Sequence, residues 1–220
     1  LSRCIRIGQF FLARCGALVA ADLSALTSCV SVQQGLLETC DSLTFADLSG
    51  LTSVTAFPPL TLAWCPKLSR VALPRSFPQA RSLGDGMLTR ASSLVHLDLS
   101  GATACHTIAS SFCEGCTSLR TVNLTGLSSC TTIGQHVFAN CSSLVSVDLS
   151  ALTAVQTIGP YFFGNCHALE SVNLPPFAQL ISLQGGAFRR SRVEDTEQVR
   201  RLLRRFGLRS RNRAGNCLPS

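Results

Sequence analysis

Residues 141–165 read CSSLVSVDLSALTAVQTIGPYFFGN, and this pattern returns along nearly the whole chain. With the leading cysteine as position 1, units begin at Cys15, Cys40, Cys65, Ala91, Cys116, Cys141 and Cys166, and Ser191 stands where an eighth would start. The interval is 25 residues everywhere except the third unit, which has 26. Self-similarity at this period marks a stacked solenoid, because one such unit cannot bury its apolar side alone and its neighbours bury it together.

The columns define the coil. Leucine holds position 4 in all seven units, from Leu18 to Leu169, and position 9 from Leu23 to Leu174. Position 7 carries Ala21, Ala46, Val71, Leu97, Val122, Val147 and Val172. Positions 7 and 9 share a face only if side chains alternate with period two, so each unit opens with a strand. The windows are 18–23, 43–48, 68–73, 94–99, 119–124, 144–149 and 169–174. A second inward column runs through Ile7, Val32, Phe57, Leu83, Ile108, Ile133, Ile158 and Leu183, and Leu37, Phe138, Phe163 and Phe188 close the coil. With successive strands about 4.8 Å apart, the expectation is a right-handed solenoid carrying a parallel sheet along one side.

The run I-G-x-x-x-F-x-x-C-x-x-L-x-x-V-x-L, at Ile133 to Leu149 and again at Ile158 to Leu174, resembles the BspA-type leucine-rich repeat of bacterial and protist surface proteins. Asn173-Leu174-Pro175 is similar to that family's I-x-I-P segment. The resemblance spans about residues 1–190. These units are longer than the usual one between Ser150 and Ile158, in which they are similar to kinetoplastid repeat proteins, and that points to a protist source. The resemblance implies an α/β leucine-rich-repeat solenoid of about seven repeats, mostly strand and loop, and a non-catalytic adhesive or interaction module.

At 46% apolar and 14% charged residues, 220 residues are enough for one globular domain or one solenoid, and the repeats decide for the latter. The most apolar stretch, Phe10 to Ala21, is broken by Arg14 and Gly16, so no run approaches the roughly 18 residues of a membrane span. Leu1 is not methionine and Ile7-Gly8 already belong to the closing part of a unit, so the chain is expected to begin inside a repeat, with a signal peptide or cap possible upstream.

The net charge of +7 is local. Residues 1–188 hold nine basic and nine acidic side chains, whereas 189–220 hold ten arginines against Glu194, Asp195 and Glu197. The chain thus divides into a solenoid, 1–190, and a basic tail, 191–220. In the tail, Val199, Leu202, Leu203 and Phe206 recur at helical spacing, Asp195 or Thr196 can cap the start, and Gly207 can end it. One reading lays this short amphipathic helix over the open end of the last coil, turning Arg200, Arg201, Arg204 and Arg205 to solvent. Another makes it a basic helix for nucleic acid or acidic lipid. Arg209 to Ser220 reads as a disordered end.

Of twelve cysteines, six occupy position 1, and Cys4, Cys29, Cys105 and Cys130 share a column eleven residues before the next unit. A small, moderately apolar side chain suits an inward position where walls approach, so these ten are expected to be buried free thiols. Cys113 and Cys116 match C-x-x-C, with Cys105 or His106 nearby, but a structural zinc site needs four converging ligands, and no metal is expected. His96, His106, His136 and His167 fall in four different columns, and the chain carries no paired carboxylates, phosphate loop or G-x-S-x-G elbow. It reads as a non-enzyme without cofactor. Asn123-Leu124-Thr125 and Asn140-Cys141-Ser142 are glycan acceptors only if the chain is secreted.

What remains is the outward face of the sheet. Position 8 reads Asp22, Asp47, Ala72, Asp98, Asn123, Asp148 and Asn173, and position 6 reads Ala20, Phe45, Arg70, His96, Thr121, Ser146 and Ser171. Either short polar side chains at position 8 bond along the ladder and keep the sheet soluble, or the strip binds a protein partner. The candidate residues are Phe45, Arg70, His96, Asp98, Asn123 and Asp148, centred where the repeat departs most from its own consensus. The expected role is a surface or secreted adhesion or recognition module. The alternative is a cytoplasmic scaffold, such as a ubiquitin-ligase substrate receptor, since cysteine-containing repeats of F-box proteins look superficially similar.

Overall fold

The structure, a computed structural model, describes residues 3–209. Two rows of short parallel strands, numbered in chain order, wind along it. The narrow row holds β1 Arg6–Ile7, β3 Ser31–Val32, β6 Ser82–Leu83, β8 Thr107–Ile108, β10 Thr132–Ile133, β12 Thr157–Ile158 and β14 Ser182–Leu183, with Phe57 bridging to Leu83. The wide row holds β2 Ala20–Asp22, β4 Phe45–Asp47, β5 Arg70–Ala72, β7 His96–Asp98, β9 Thr121–Asn123, β11 Ser146–Asp148 and β13 Ser171–Asn173. Each wide strand falls within its expected window. Register follows the repeat, with Val147 opposite Val172 and Ile133 opposite Ile158. The wide row is divided into β2-β4-β5, β7-β9 and β11-β13, its first break falling in the 26-residue unit.

Each coil closes by the same local bonds. The position-4 N–H donates to the position-1 carbonyl in every unit, from Leu18 to Cys15 (2.9 Å) through Leu169 to Cys166 (3.0 Å), turning the chain into the wide strand. Phenylalanines stack where the coil shuts: Phe138 and Phe163 lie 5.4 Å apart at 8°, and Phe163 and Phe188 5.9 Å apart at 19°.

Before each position 1 the backbone alternates in hand. Residues five and one before it have positive φ in all eight coils, Phe10 and Arg14 in the first, Tyr161 and Asn165 in the seventh. In the first seven coils their N–H groups donate to the next coil, as Arg14 does to Glu38 (2.7 Å) and Asn165 to Arg189 (2.7 Å), so this loop is also a ladder, and in the eighth the Arg190 N–H donates to the Glu194 carboxylate at 2.8 Å. The left-handed conformation disfavours ordinary side chains, and the inter-coil bonds offset that cost. The peptide between these two positions reverses midway. The N–H groups of Leu37, Leu62 and Leu88 donate back to Phe11, Leu36 and Thr61, whereas those of Cys113, Phe138 and Phe163 donate forward to Val137, Phe162 and Ala187. Because a trans peptide points its C=O opposite its N–H, the carbonyls of Met87 and Phe112 are turned toward one another across that seam.

The position-1 thiols fill a hydrogen-bonding role. Cys40, Cys65, Cys116, Cys141 and Cys166 donate S–H to the carbonyls of Leu12, Leu37, Leu88, Cys113 and Phe138 in the preceding coil, at 3.1 to 3.3 Å. Cys4, Cys29, Cys105 and Cys130 donate instead to the carbonyl two residues on. All eleven described cysteines are free thiols. Eight of the ten column cysteines are buried, while Cys4 and Cys15 are half-buried, a departure from the expected uniform burial. They sit in the first coil, and among the described residues no coil stacks on its outer side.

At the other end a 3-10 turn, Arg192–Asp195, leads into α1, Glu197–Arg205. Val199, Leu202 and Leu203 are buried in one cluster with Phe177, Leu180, Leu183 and Phe188, so the helix covers the last coil. Thr196 precedes α1 without a side-chain cap bond, its hydroxyl donating to the Val193 carbonyl instead. Arg201 and Arg204 are exposed as expected. Arg205 is exposed as well and also reaches back to the last coil. Its guanidinium donates to the carbonyls of Phe177 (3.0 Å) and Leu180 (3.3 Å), which face the end of the stack. Arg200 is half-buried and pairs with Asp195 at 3.2 Å. The end expected to be disordered falls, from residue 210 on, outside the described residues.

Candidate functional site

The exposed surface of the wide row is set by alternation: position 7 turns inward, so positions 6 and 8 face out. Phe45 and Arg70 are register partners on β4 and β5, and the Arg70 guanidinium carbon lies 4.9 Å from the Phe45 ring centroid. This cation–π contact holds a long cation flat on a half-buried ring. On the next coil His96 is exposed, its Nδ1 2.5 Å from the Thr121 hydroxyl on β9.

Position 8 is different. Asp98 accepts the Ser100 N–H at 2.9 Å, Asn123 accepts the Thr125 N–H at 3.1 Å, and Asp148 accepts the Ser150 N–H at 2.8 Å. Asp22 and Asp47 do the same with Ser24 and Ser49. These are Asx turns, in which the side chain stands in for a backbone acceptor and bends the chain out of the strand. The hydroxyl and N–H of Ser24 hold the Asp22 carboxyl below its ordinary range, and those of Ser150 do so for Asp148, which also accepts Asn173 Nδ2 at 3.0 Å. Three candidates, Asp98, Asn123 and Asp148, thus already serve the fold. Phe45, Arg70 and His96 have no such duty.

The thiols offer little reactivity. Burial pushes Cys65, Cys130 and Cys166 up to about 12 and Cys105 up to about 11, far from the thiolate that metal binding or nucleophilic attack requires. Among the described residues no three His, Cys, Asp or Glu side chains converge as metal ligands, so Cys113 and Cys116 do not gather the partners a zinc site needs.

Sequence reading missed a groove of about 540 Å³ beside the thiol column, lined by Asp41, Trp64, Arg90, Glu114 and Asn140 among others. The signal available was the single tryptophan of the chain, standing next to Cys65 where neighbouring units have Thr39 and Arg90.

Parallel coils with a leucine column and an interleaved thiol column define a leucine-rich repeat solenoid, a fold that generally serves as a non-enzymatic scaffold for protein interaction. The model of the BspA type leucine rich repeat region matches residues 82–200 in six copies, and the chain belongs to this family. Among solved structures, a leucine rich repeat protein of T. pallidum is 23% identical with a TM-score of 0.64, covering 86% of this chain and 83% of that one, which shows the shared fold. A leucine rich cell surface protein from Faecalibacterium prausnitzii is 12% identical with a TM-score of 0.48, covering 77% and 64%. A leucine-rich repeat protein from Bacteroides ovatus is 19% identical with a TM-score of 0.36, covering 86% and 75%. No curated protein matches the chain. No helix among the described residues is long and apolar enough to cross a membrane.

Proposed function

We propose that the chain is a surface or secreted recognition module in which residues 1–190 present the outward face of the wide row to a protein partner and the tail closes the stack. The observation that carries the reading is the group Phe45, Arg70 and His96. An aromatic ring, a guanidinium laid over it at 4.9 Å and an exposed imidazole on the next coil stand on neighbouring parallel strands, outside the turn bonds that occupy position 8. Interface hot spots favour aromatic and arginine side chains on rigid supports.

The test is a capture experiment from cell-surface and cytosolic fractions separately, with the parent chain and a Phe45→Ala/Arg70→Ala/His96→Ala variant. A protein retained from the surface fraction by the parent and lost by the variant supports the reading, and equal retention by both sinks it. One observation favours the cytoplasmic scaffold as a second reading: every described cysteine is a free thiol, as suits a reducing compartment. Retention solely from the cytosolic fraction, lost in the same variant, selects that alternative.

A further inference from the structure

Along one flank, the position-1 column is small and buried at Cys40, Cys65, Ala91, Cys116 and Cys141. The residues directly before and after it line a groove of about 540 Å³. Trp64, the sole tryptophan, lines it with 38% of its surface exposed. An exposed indole has a cost in water that a binding site repays. Its backbone is fixed, with φ 54° and its N–H donating to the Thr89 carbonyl at 2.7 Å. Arg90 and Asn140 are pinned in the same ladder by bonds to Glu114 (2.8 Å) and Gly164 (2.8 Å). A backbone held this way needs no reordering on binding.

The chemistry of the lining narrows the ligand. Asp41 and Glu114 accept, Glu114 while also holding the Ser111 hydroxyl at 2.7 Å; Arg90 donates; the Ser92 hydroxyl, donated to the Pro66 carbonyl at 3.2 Å, is left to accept; and Asn140, whose Oδ1 takes Asn165 Nδ2 at 2.9 Å, offers its Nδ2 as a donor. Two carboxylates against one guanidinium give no excess positive charge, which disfavours phosphate, sulfate or nucleic acid. A ligand with an apolar C–H face for the indole and hydroxyls that both donate and accept matches the capacity these groups have left. Side-chain levels follow one another at the strand spacing of about 4.8 Å, a rise suited to successive rings of a sugar chain. At Gly115 the column drops its side chain altogether. Its φ is 75°, and a Cβ there would press on Arg90 Cγ at 3.3 Å, so the row directly before position 1 is open between Arg90 and Asn140.

We infer that this groove binds a short uncharged oligosaccharide, stacked on Trp64 and hydrogen-bonded by Asp41, Arg90, Glu114 and Asn140. It is a second site, separate from the strip on the wide row. The test is titration of the full chain with maltotriose, cellotriose and N,N′,N″-triacetylchitotriose while following indole emission, which reports Trp64 alone. At least one sugar gives a saturable blue shift. Gly115→Asn, which adds a side chain at a position where asparagine tolerates positive φ, weakens that sugar at least tenfold while its melting temperature stays within a few degrees of the parent. Trp64→Ala abolishes its heat of binding by calorimetry. The inference is overturned by the absence of a saturable shift with all three sugars, by unchanged affinity in Gly115→Asn, or by a sulfated glycosaminoglycan tetrasaccharide giving the same indole shift more tightly than all three.

Discussion

The thiol of Cys166 donates to the main-chain carbonyl of Phe138 across 3.1 Å, one coil earlier. The same bond recurs at four other coils, so the cysteine column is a row of donors along buried carbonyls, of which those of Leu88 and Cys113 also accept the N–H groups of Ala91 and Cys116 at 3.0 and 3.3 Å. Replacing Cys141 with asparagine puts a larger polar group in this fully buried place and should destabilise by roughly 1 to 3 kcal/mol. Ala91 is the exception to the column, since it has no thiol to offer the Leu62 carbonyl. Ala91→Cys should restore the donor and stabilise by up to about 1 kcal/mol. Urea denaturation of both variants checks the pair, and a destabilised Ala91→Cys removes the donor explanation.

Stability should fall on the alkaline side for the same reason. Folded thiols at Cys65, Cys130 and Cys166 sit at about 12 and Cys105 at about 11, because burial penalises the thiolate. In the unfolded chain they ionise near about 8.5. Below that value both states hold the proton and this contribution is constant. Above it the unfolded state loses protons first, so stability drops as pH rises toward the folded values, by about 1.4 kcal/mol per pH unit for each thiol. Denaturation midpoints measured from pH 7 to pH 11 should be flat and then fall, with a shallower fall in Cys130→Ala. A flat profile to pH 11 contradicts the assignment.

The end cap gives a third expectation. Leu203 is 5% exposed and packs within the cluster of the last coil. Leu203→Ala should cost about 2 to 3 kcal/mol. Deletion of residues 193–220 should lower the melting midpoint further and make the chain associate through the uncovered coil, as seen by light scattering. Arg205→Ala should cost about 1 kcal/mol by leaving the Leu180 carbonyl without its donor, while the Phe177 carbonyl keeps the Leu180 N–H at 3.1 Å. If the deletion leaves melting unchanged and instead removes salt-sensitive RNA or anionic-vesicle binding, the helix is a binding element and not a cap.

Turn residues and free residues of the wide row should separate by mutation. Asp98→Ala and Asp148→Ala each remove an acceptor for a backbone N–H and should destabilise by about 1 kcal/mol. Arg70→Ala and His96→Ala should stay within about 0.5 kcal/mol of the parent. Thermal melts of the four variants decide it. Equal losses across both pairs would dissolve the distinction between scaffold and contact residues.

Much of this molecule is legible in one dimension. Leucine at positions 4 and 9, the alternation at position 7 and the 25-residue return together determine strands, parallel stacking and inward faces, because each copy of a column must meet the same neighbour one coil away. The apolar spacing of Val199, Leu202 and Leu203 also told that a helix follows and which face it buries. Contacts between coils decided the rest. Position 8 left a structural and a binding role open in the sequence, and the bonds of Ser100 and Ser150 to Asp98 and Asp148 show that these carboxylates hold turns. The reversed peptide between Leu88 and Cys113, the exposed side of Cys15 and the groove beside Trp64 depend on what lies one coil above or below, about 25 residues away in sequence. A column records which side of the coil a residue occupies. Hydrogen-bond direction and groove depth are properties of pairs of coils, so they were decided only once the coils were stacked.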